Sequence, residues 1–149
     1  MAERLEYASA EFYQQASKLV SDKATQHVLQ NLASDELEHQ IFFRDLRSEY
    51  KEMLSKTVDA ATEDSIRNYV DAFQDYRVFD FDFTIKQTIK GNENVPKIIQ
   101  MAIGFEKNQI VFCSGLMNIY EDKSFHELLK KIIREEFGHL SLLTNISFM

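Results

Sequence analysis

At 149 residues with 44% apolar side chains, the chain is long enough to bury one core and has the size of a single domain, 1–149. Four glycines and one proline leave little to punctuate a many-stranded fold, so the fold class expected is all-α. A net charge of −7 with no Lys/Arg cluster argues against nucleic acid as a partner, and the single cysteine, Cys113, excludes an intramolecular disulfide and any Cys-rich zinc or iron site. The opening residues contain no apolar signal segment and no run reaches about 18 apolar residues, which makes a cytoplasmic protein without membrane contact the expectation.

The first helix is predicted over residues 2–20, with Glu6, Ala10, Tyr13, Ser17 and Val20 on its inner face. Asp22 is placed to cap the second helix, which meets no breaker from 23 to about 56 and therefore outruns the first. On it Leu32, Glu36, His39, Phe43 and Leu46 share one stripe. Residues 57–95 form a crossover too long for a turn. Within it, 63–76 reads as a short amphipathic helix through Ile66, Tyr69, Val70 and Phe73, and the alternating run after it offers Phe79, Phe81 and Phe83 as a cover for the bundle. A connection of this length can return along the whole bundle, which favours an up-down-down-up order. Pro96 suits a first helical turn and opens a helix over 96–120 that turns Ile99, Ala102, Glu106, Ile110, Cys113 and Met117 inward. The last helix begins near Ser124, an N-cap with Glu127 at the capping-box position, and closes a second hairpin, 96–147, to match the first, 2–56.

A carboxylate and an imidazole on a buried stripe are expensive to desolvate, and a bound cation is the commonest compensation. Glu36 and His39 form such a pair, and the same arrangement recurs 100 residues on, where Ile132, Glu136, His139 and Leu143 share a face. Thirty residues before each pair stands another glutamate, Glu6 and Glu106. Midway between the members of each couple lie Ser21 and Glu121, both in polar runs where the apolar periodicity stops. A turn at each midpoint brings Glu6 level with Glu36 and Glu106 level with Glu136. The chain is thus an internal duplication, two antiparallel helical hairpins that bring Glu6, Glu36, His39, Glu106, Glu136 and His139 into one core. Four carboxylates and two imidazoles suit two divalent ions, and a donor set this rich in oxygen suits iron or manganese. Of the remaining polar residues, Glu11, Asp35, Glu38 and Glu135 are read as solvated, and His27 and His126 as surface residues near helix starts. Tyr13 is a core tyrosine able to hydrogen-bond a ligand. Cys113, its counterpart 100 residues on, is an inert buried thiol, with a peroxide-reactive role as the alternative.

One glutamate from each of two helices and Glu-x-x-His from each of the other two resembles the ferritin-like di-iron carboxylate superfamily. Glu6 followed by Phe12-Tyr13, and the runs DELEH and EEFGH, are most similar to its rubrerythrin-related branch. The resemblance implies a ferritin-like four-helix bundle with Glu6 and Glu106 as terminal ligands, Glu36 and Glu136 as bridges, and His39 and His139 as nitrogen ligands. It implies two iron ions, with manganese or zinc able to occupy the same donors, and a non-haem di-iron oxidoreductase that reduces hydrogen peroxide or dioxygen. Ferritin-like iron oxidation and storage is the first alternative, and a helical interaction module around a structural metal the second. Rubrerythrins carry a further glutamate three residues after the ligand on the third bundle helix, where this chain has Gln109. Their rubredoxin module is absent, which implies a separate electron-donor protein. Glu6 lies close to the start of the first helix, so Phe42, Leu46, Tyr50 and Leu54 of the second have no first helix opposite them. A two-fold partner would cover that stripe, and a homodimer is expected.

Overall fold

In the computed structural model the described residues are 1–57, 59–75 and 95–147, with side chains described for 1–48, 59–72 and 95–146. Among them are five helices: α1 (Ala2–Leu19), α2 (Lys23–Thr57), α3 (Ala60–Asp75), α4 (Val95–Ile119) and α5 (Lys123–Ser147). Their ends are set by aspartates. α1 stops at Leu19 because Val20 takes up extended backbone, and Asp22 then accepts hydrogen bonds from both the backbone N–H and the hydroxyl of Thr25, each at 2.7 Å. α5 is capped in the same way by Asp122, which accepts from the Phe125 N–H at 2.7 Å. This corrects the assignment of the cap to Ser124: the aspartate 100 residues beyond Asp22 carries it, and the duplication extends to the turns. The two turns are also tied alike, Gln26 Nε2 donating to the Val20 carbonyl and His126 Nε2 bonding the Tyr120 carbonyl, both at 2.5 Å. His126, read as a surface residue, is therefore half-buried, while His27 is exposed. Asp59 caps α3 through the Thr62 N–H, which moves its start ahead of residue 63.

α1 with α2 and α4 with α5 form the two closely packed hairpins, and α1 meets α4 while α2 meets α5. Directions follow from residue pairings. Tyr13 reaches Glu106 whereas Gln109 reaches Glu6, so α1 and α4 run antiparallel. Likewise His39 meets Glu135 while His139 meets Asp35, so α2 and α5 are antiparallel. That is the up-down-down-up order of a ferritin-like four-helix bundle, with α3 lying in the crossover.

The inner faces of α1, α2 and α5 are those the periodicity indicates, with Leu32, Phe43, Leu46, Ile132 and Leu143 all buried. α4 differs. Ile110 and Met117, expected inside, are half-buried, and Phe105, Gln109 and Phe112 are buried in their stead. The reason is that α4 is covered on several sides, by α1, α5 and α3, which widens and turns its buried arc. Phe105 packs edge-to-face on Phe12 with ring centroids 4.8 Å apart, joining the hairpins above the site.

α3 docks on α4 through Tyr69. Its ring stacks on Phe112, and its hydroxyl lies within hydrogen-bonding distance of the carbonyls of Val111 (3.0 Å) and Phe112 (3.2 Å). Gly115 makes the approach possible, since a Cβ there would stand 2.0 Å from the Tyr69 oxygen. Docked so, Ile66 and Val70 of α3 roof an apolar cavity of about 240 Å³ that Leu46, Phe112 and Leu116 line from the bundle. The stripe that α2 carries past α1 is thus partly roofed from within the chain: Leu46 is 8% exposed and Phe42 half-buried. The side chains of Tyr50, Leu54, Phe73, Phe79, Phe81 and Phe83 lie outside the described residues. No described helix is long and apolar enough to cross a membrane.

Candidate metal centre

Midway along the bundle all six acid and imidazole residues singled out from the sequence converge. Glu6, Glu36, Glu106 and Glu136 are at most 1% exposed, and His39 and His139 are 5% and 6% exposed. They fall into two quartets whose donor atoms lie within 4.8 Å of one another, Glu6, Glu36, His39 and Glu136 in one and Glu36, Glu106, Glu136 and His139 in the other. Glu36 and Glu136 belong to both. Within the first, His39 Nδ1 lies 3.0 Å from Glu136 Oε1 and 4.0 Å from Glu6 Oε2. Within the second, His139 Nδ1 lies 2.9 Å from Glu136 Oε2, 3.3 Å from Glu36 Oε1 and 3.5 Å from Glu106 Oε2. The imidazoles stack with centroids 5.8 Å apart.

Without cations, protons must balance this much buried charge. Burial and the neighbouring Glu36 carboxylate push Glu6 well up from the usual carboxylate range, and burial does the same to Glu106 against the pull of His139. Burial would also raise Glu136, but the approach of His139 and His39 outweighs it and holds that carboxyl at about 2. The histidines respond in kind: burial disfavours their charged forms, yet the carboxylates around them win, lifting His39 to about 9 and raising His139 as well.

A layer of polar side chains holds the six in place. The Tyr13 hydroxyl donates to Glu106 across the α1–α4 seam, and burial followed by that carboxylate's charge raises its pKa, so it stays a protonated donor. Gln109 Nε2 donates to Glu6 Oε2 at 2.5 Å and Glu36 Oε2 at 2.8 Å. Asp35 and Glu135, read as solvated, require correction. Glu135 Oε2 sits 2.8 Å from His39 Nε2, and Asp35 Oδ2 lies 3.4 Å from His139 Nε2, each acid gripping the imidazole of the opposite hairpin. Their half-exposed position beside the seam hid this, but a signal existed, since an acid stands immediately before the glutamate in both Glu-x-x-His runs. Glu38 is exposed as expected, and Glu11 is half-buried and bonded to Tyr7. Cys113 is buried, and burial pushes its thiol up to about 12, which keeps it neutral and argues against a reactive thiolate.

The donors fit metal ions. Glu36 Oε1, His39 Nδ1, Glu106 Oε2 and Glu136 Oε1 are buried and, although each lies 3.0–3.5 Å from an opposing imidazole or carboxylate atom, none completes a well-directed hydrogen bond. Two imidazole nitrogens kept toward the carboxylates by acids on their far edges are the arrangement in which metal-binding histidines are found. Buried carboxylates and imidazoles at this depth in an up-down-down-up bundle define a ferritin-like protein with a candidate di-metal centre. The family model described as Rubrerythrin matches residues 1–147, and the chain belongs to that ferritin-like di-iron family. No curated protein and no solved structure matches the chain.

Proposed function

We propose that the protein is a non-haem di-iron oxidoreductase that reduces hydrogen peroxide or dioxygen, drawing electrons from a separate donor protein. One observation carries the reading: two donor quartets share Glu36 and Glu136. In it Glu6 with His39 would hold one ion and Glu106 with His139 the other, with Glu36 and Glu136, common to both quartets, available to both. Four ionised glutamates then balance two divalent ions, which one ion would not do. When bound, a ferrous pair would supply two electrons, enough to reduce hydrogen peroxide to water or dioxygen to the peroxide level, with the donor protein returning electrons for further reduction.

The chain's own groups set the conditions for this. Glu135, 2.8 Å from His39 Nε2, and Asp35, 3.4 Å from His139 Nε2, favour the tautomer with the proton on Nε2, which would leave each Nδ1 lone pair for an ion. Tyr13 fixes Glu106 in one orientation. Leu32, Phe43, Ile132 and Leu143, all buried, restrict water and side reactions around the centre. A cavity of about 410 Å³ opens outside the two imidazoles, lined by His39 and His139 and by three acids, Asp35, Glu38 and Glu135, against one base, Lys131. That acidic mouth draws cations and favours iron oxidation with sequestration as the second reading.

The test is anaerobic loading with Fe²⁺, metal analysis, and stopped-flow absorption on mixing with peroxide or dioxygen in the presence of a chemical reductant. Catalytic turnover is expected. A large hollow assembly that accumulates ferric iron without turnover would select the storage reading, and a redox-silent metal would overturn both.

A further inference from the structure

Exchanging each residue for the one 100 positions on maps the six donors onto one another, Glu6 onto Glu106, Glu36 onto Glu136 and His39 onto His139. Among the pairs that differ with both members buried, two carry polar groups beside the donors. Ser9 stands against Gln109 and Tyr13 against Cys113, all at 0–1% exposure. The consequence is an uneven grip on the carboxylates. Gln109 Nε2 bonds Glu6 and Glu36 together, whereas its own Oε1 is buried without a partner, so the carboxylates alone orient the amide. Ser9 does not do this for the mirror pair; its hydroxyl lies 3.5 Å from the Gln109 nitrogen instead. Glu106 has the Tyr13 hydroxyl.

We propose that Gln109 is a positioning residue that makes the two metal positions inequivalent. Two carboxyl groups packed side by side in a buried seam are free to turn away from one another, and two N–H donors between Glu6 and Glu36 fix both side chains before an ion arrives. The position built on Glu6 and His39 is assembled in advance by Gln109. The one built on Glu106 and His139 depends on Tyr13. Being neutral, the amide does this without adding a fifth negative charge. The inference rests on the two-ion reading above and adds that the ions bind in separate steps with separate supports.

Calorimetric titration of the metal-free protein with Co²⁺ under argon tests it. The parent should show two steps at least about tenfold apart in affinity, of a size that loss of outer supporting groups ordinarily changes. Gln109→Met keeps an unbranched chain and deletes the amide; it should weaken one step by at least about tenfold and leave the other within about threefold. Tyr13→Phe should weaken the other step. Melting temperatures of the metal-free variants give the structural cost separately, which a loss of packing alone would move without splitting the steps. Should Gln109→Met not fold, Gln109→Asn withdraws the amide by one methylene and should weaken the same single step. Equal affinities in the parent, both variants weakening one and the same step, or Gln109 variants that weaken both steps alike or neither overturn the proposal. A parent that takes up no Co²⁺ would remove the two-ion reading itself, whereas two ions bound without this division remove only the role of Gln109.

Discussion

Replacing Gly115 with alanine should release α3 from the bundle, although the same change elsewhere on α4 should stabilise it. In a helix interior Gly→Ala contributes about 1 kcal/mol through backbone entropy. Gly104 shows the gain unopposed, because a Cβ there meets nothing within 4 Å. At Gly115 the new Cβ would stand 2.0 Å from the Tyr69 oxygen and 2.2 Å from its Cζ, so the ring has to leave. Overpacking of this kind costs about 1–3 kcal/mol. Leaving also forfeits the hydroxyl's bond to the α4 carbonyls, about 1 kcal/mol, and the stack on Phe112, about 0.5–1.5 kcal/mol. The balance is a net loss of about 1.5–4.5 kcal/mol, which for a chain of this size lowers the melting temperature by roughly 3–18 °C. Urea unfolding of Gly104→Ala, Gly115→Ala, Tyr69→Ala and the Tyr69→Ala/Gly115→Ala double variant measures the terms in one cycle. In the Tyr69→Ala background Gly115→Ala should become stabilising. An equal effect of Gly115→Ala in both backgrounds would refute the docking of α3 through this notch.

Glu36→Ala and Glu136→Ala should each lower metal content per chain below the parent in elemental analysis, with Glu11→Ala near the parent level; full occupancy in either ligand variant would remove the bridging assignment. Asp35→Asn should reduce affinity for the ion at His139 by about ten- to a hundredfold, read by competition with a chelator, and an unchanged value would return Asp35 to the solvated class. The metal-free protein should lose stability as pH rises from 6.5 through 9, because His39 is raised from 6.5 to about 9 in the fold; the loss is about 3 kcal/mol. Glu6 and Glu106, raised by burial, add to the loss above their unfolded value of 4.5, whereas Glu136, held at about 2, withdraws stability only as pH falls below 4.5. Melting temperatures of the chelator-treated protein should therefore peak near pH 4.5 and fall more steeply above 6.5, and a rise from 6.5 to 9 would contradict the assignment. We also propose a homodimer: light scattering at micromolar concentration should return twice the mass of the chain, and the monomer mass overturns it.

The hairpins and all six donors were legible because one pattern, Glu followed by Glu-x-x-His, occurs twice at a fixed period, and because a turn midway between Glu6 and Glu36 leaves no freedom in their level. Helical periodicity also placed Leu32, Phe43 and Leu143 correctly, since each sits on a helix with one broad buried side. It failed for Ile110 and Met117. Periodicity assumes one apolar arc, and α4 has neighbours on several sides, one of them a crossover helix whose contact through Tyr69 no local pattern announces. The capping box is a local rule and points to Ser124, whereas the period of 100 from Asp22 points to Asp122, which carries the cap. Asp35 and Glu135 escaped for another reason. A carboxylate at the edge of a seam looks the same in sequence whether it faces water or an imidazole across it.

The two quartets are divided unequally between the hairpins. Three members of the first come from residues of the first hairpin and one, Glu136, crosses over; the second quartet reverses this, with Glu36 crossing back. Such an exchange is what two identical hairpins related by a two-fold axis would make, each lending one carboxylate to the other. A paired chain of half this length would carry the same six donors, but any substitution in it would appear twice. Joining the halves into one polypeptide lifts that restriction. Ser9 and Gln109, or Tyr13 and Cys113, can differ only because the two copies are covalently one molecule, so fusion itself is what allows a symmetric cage of donors to hold two chemically distinct places.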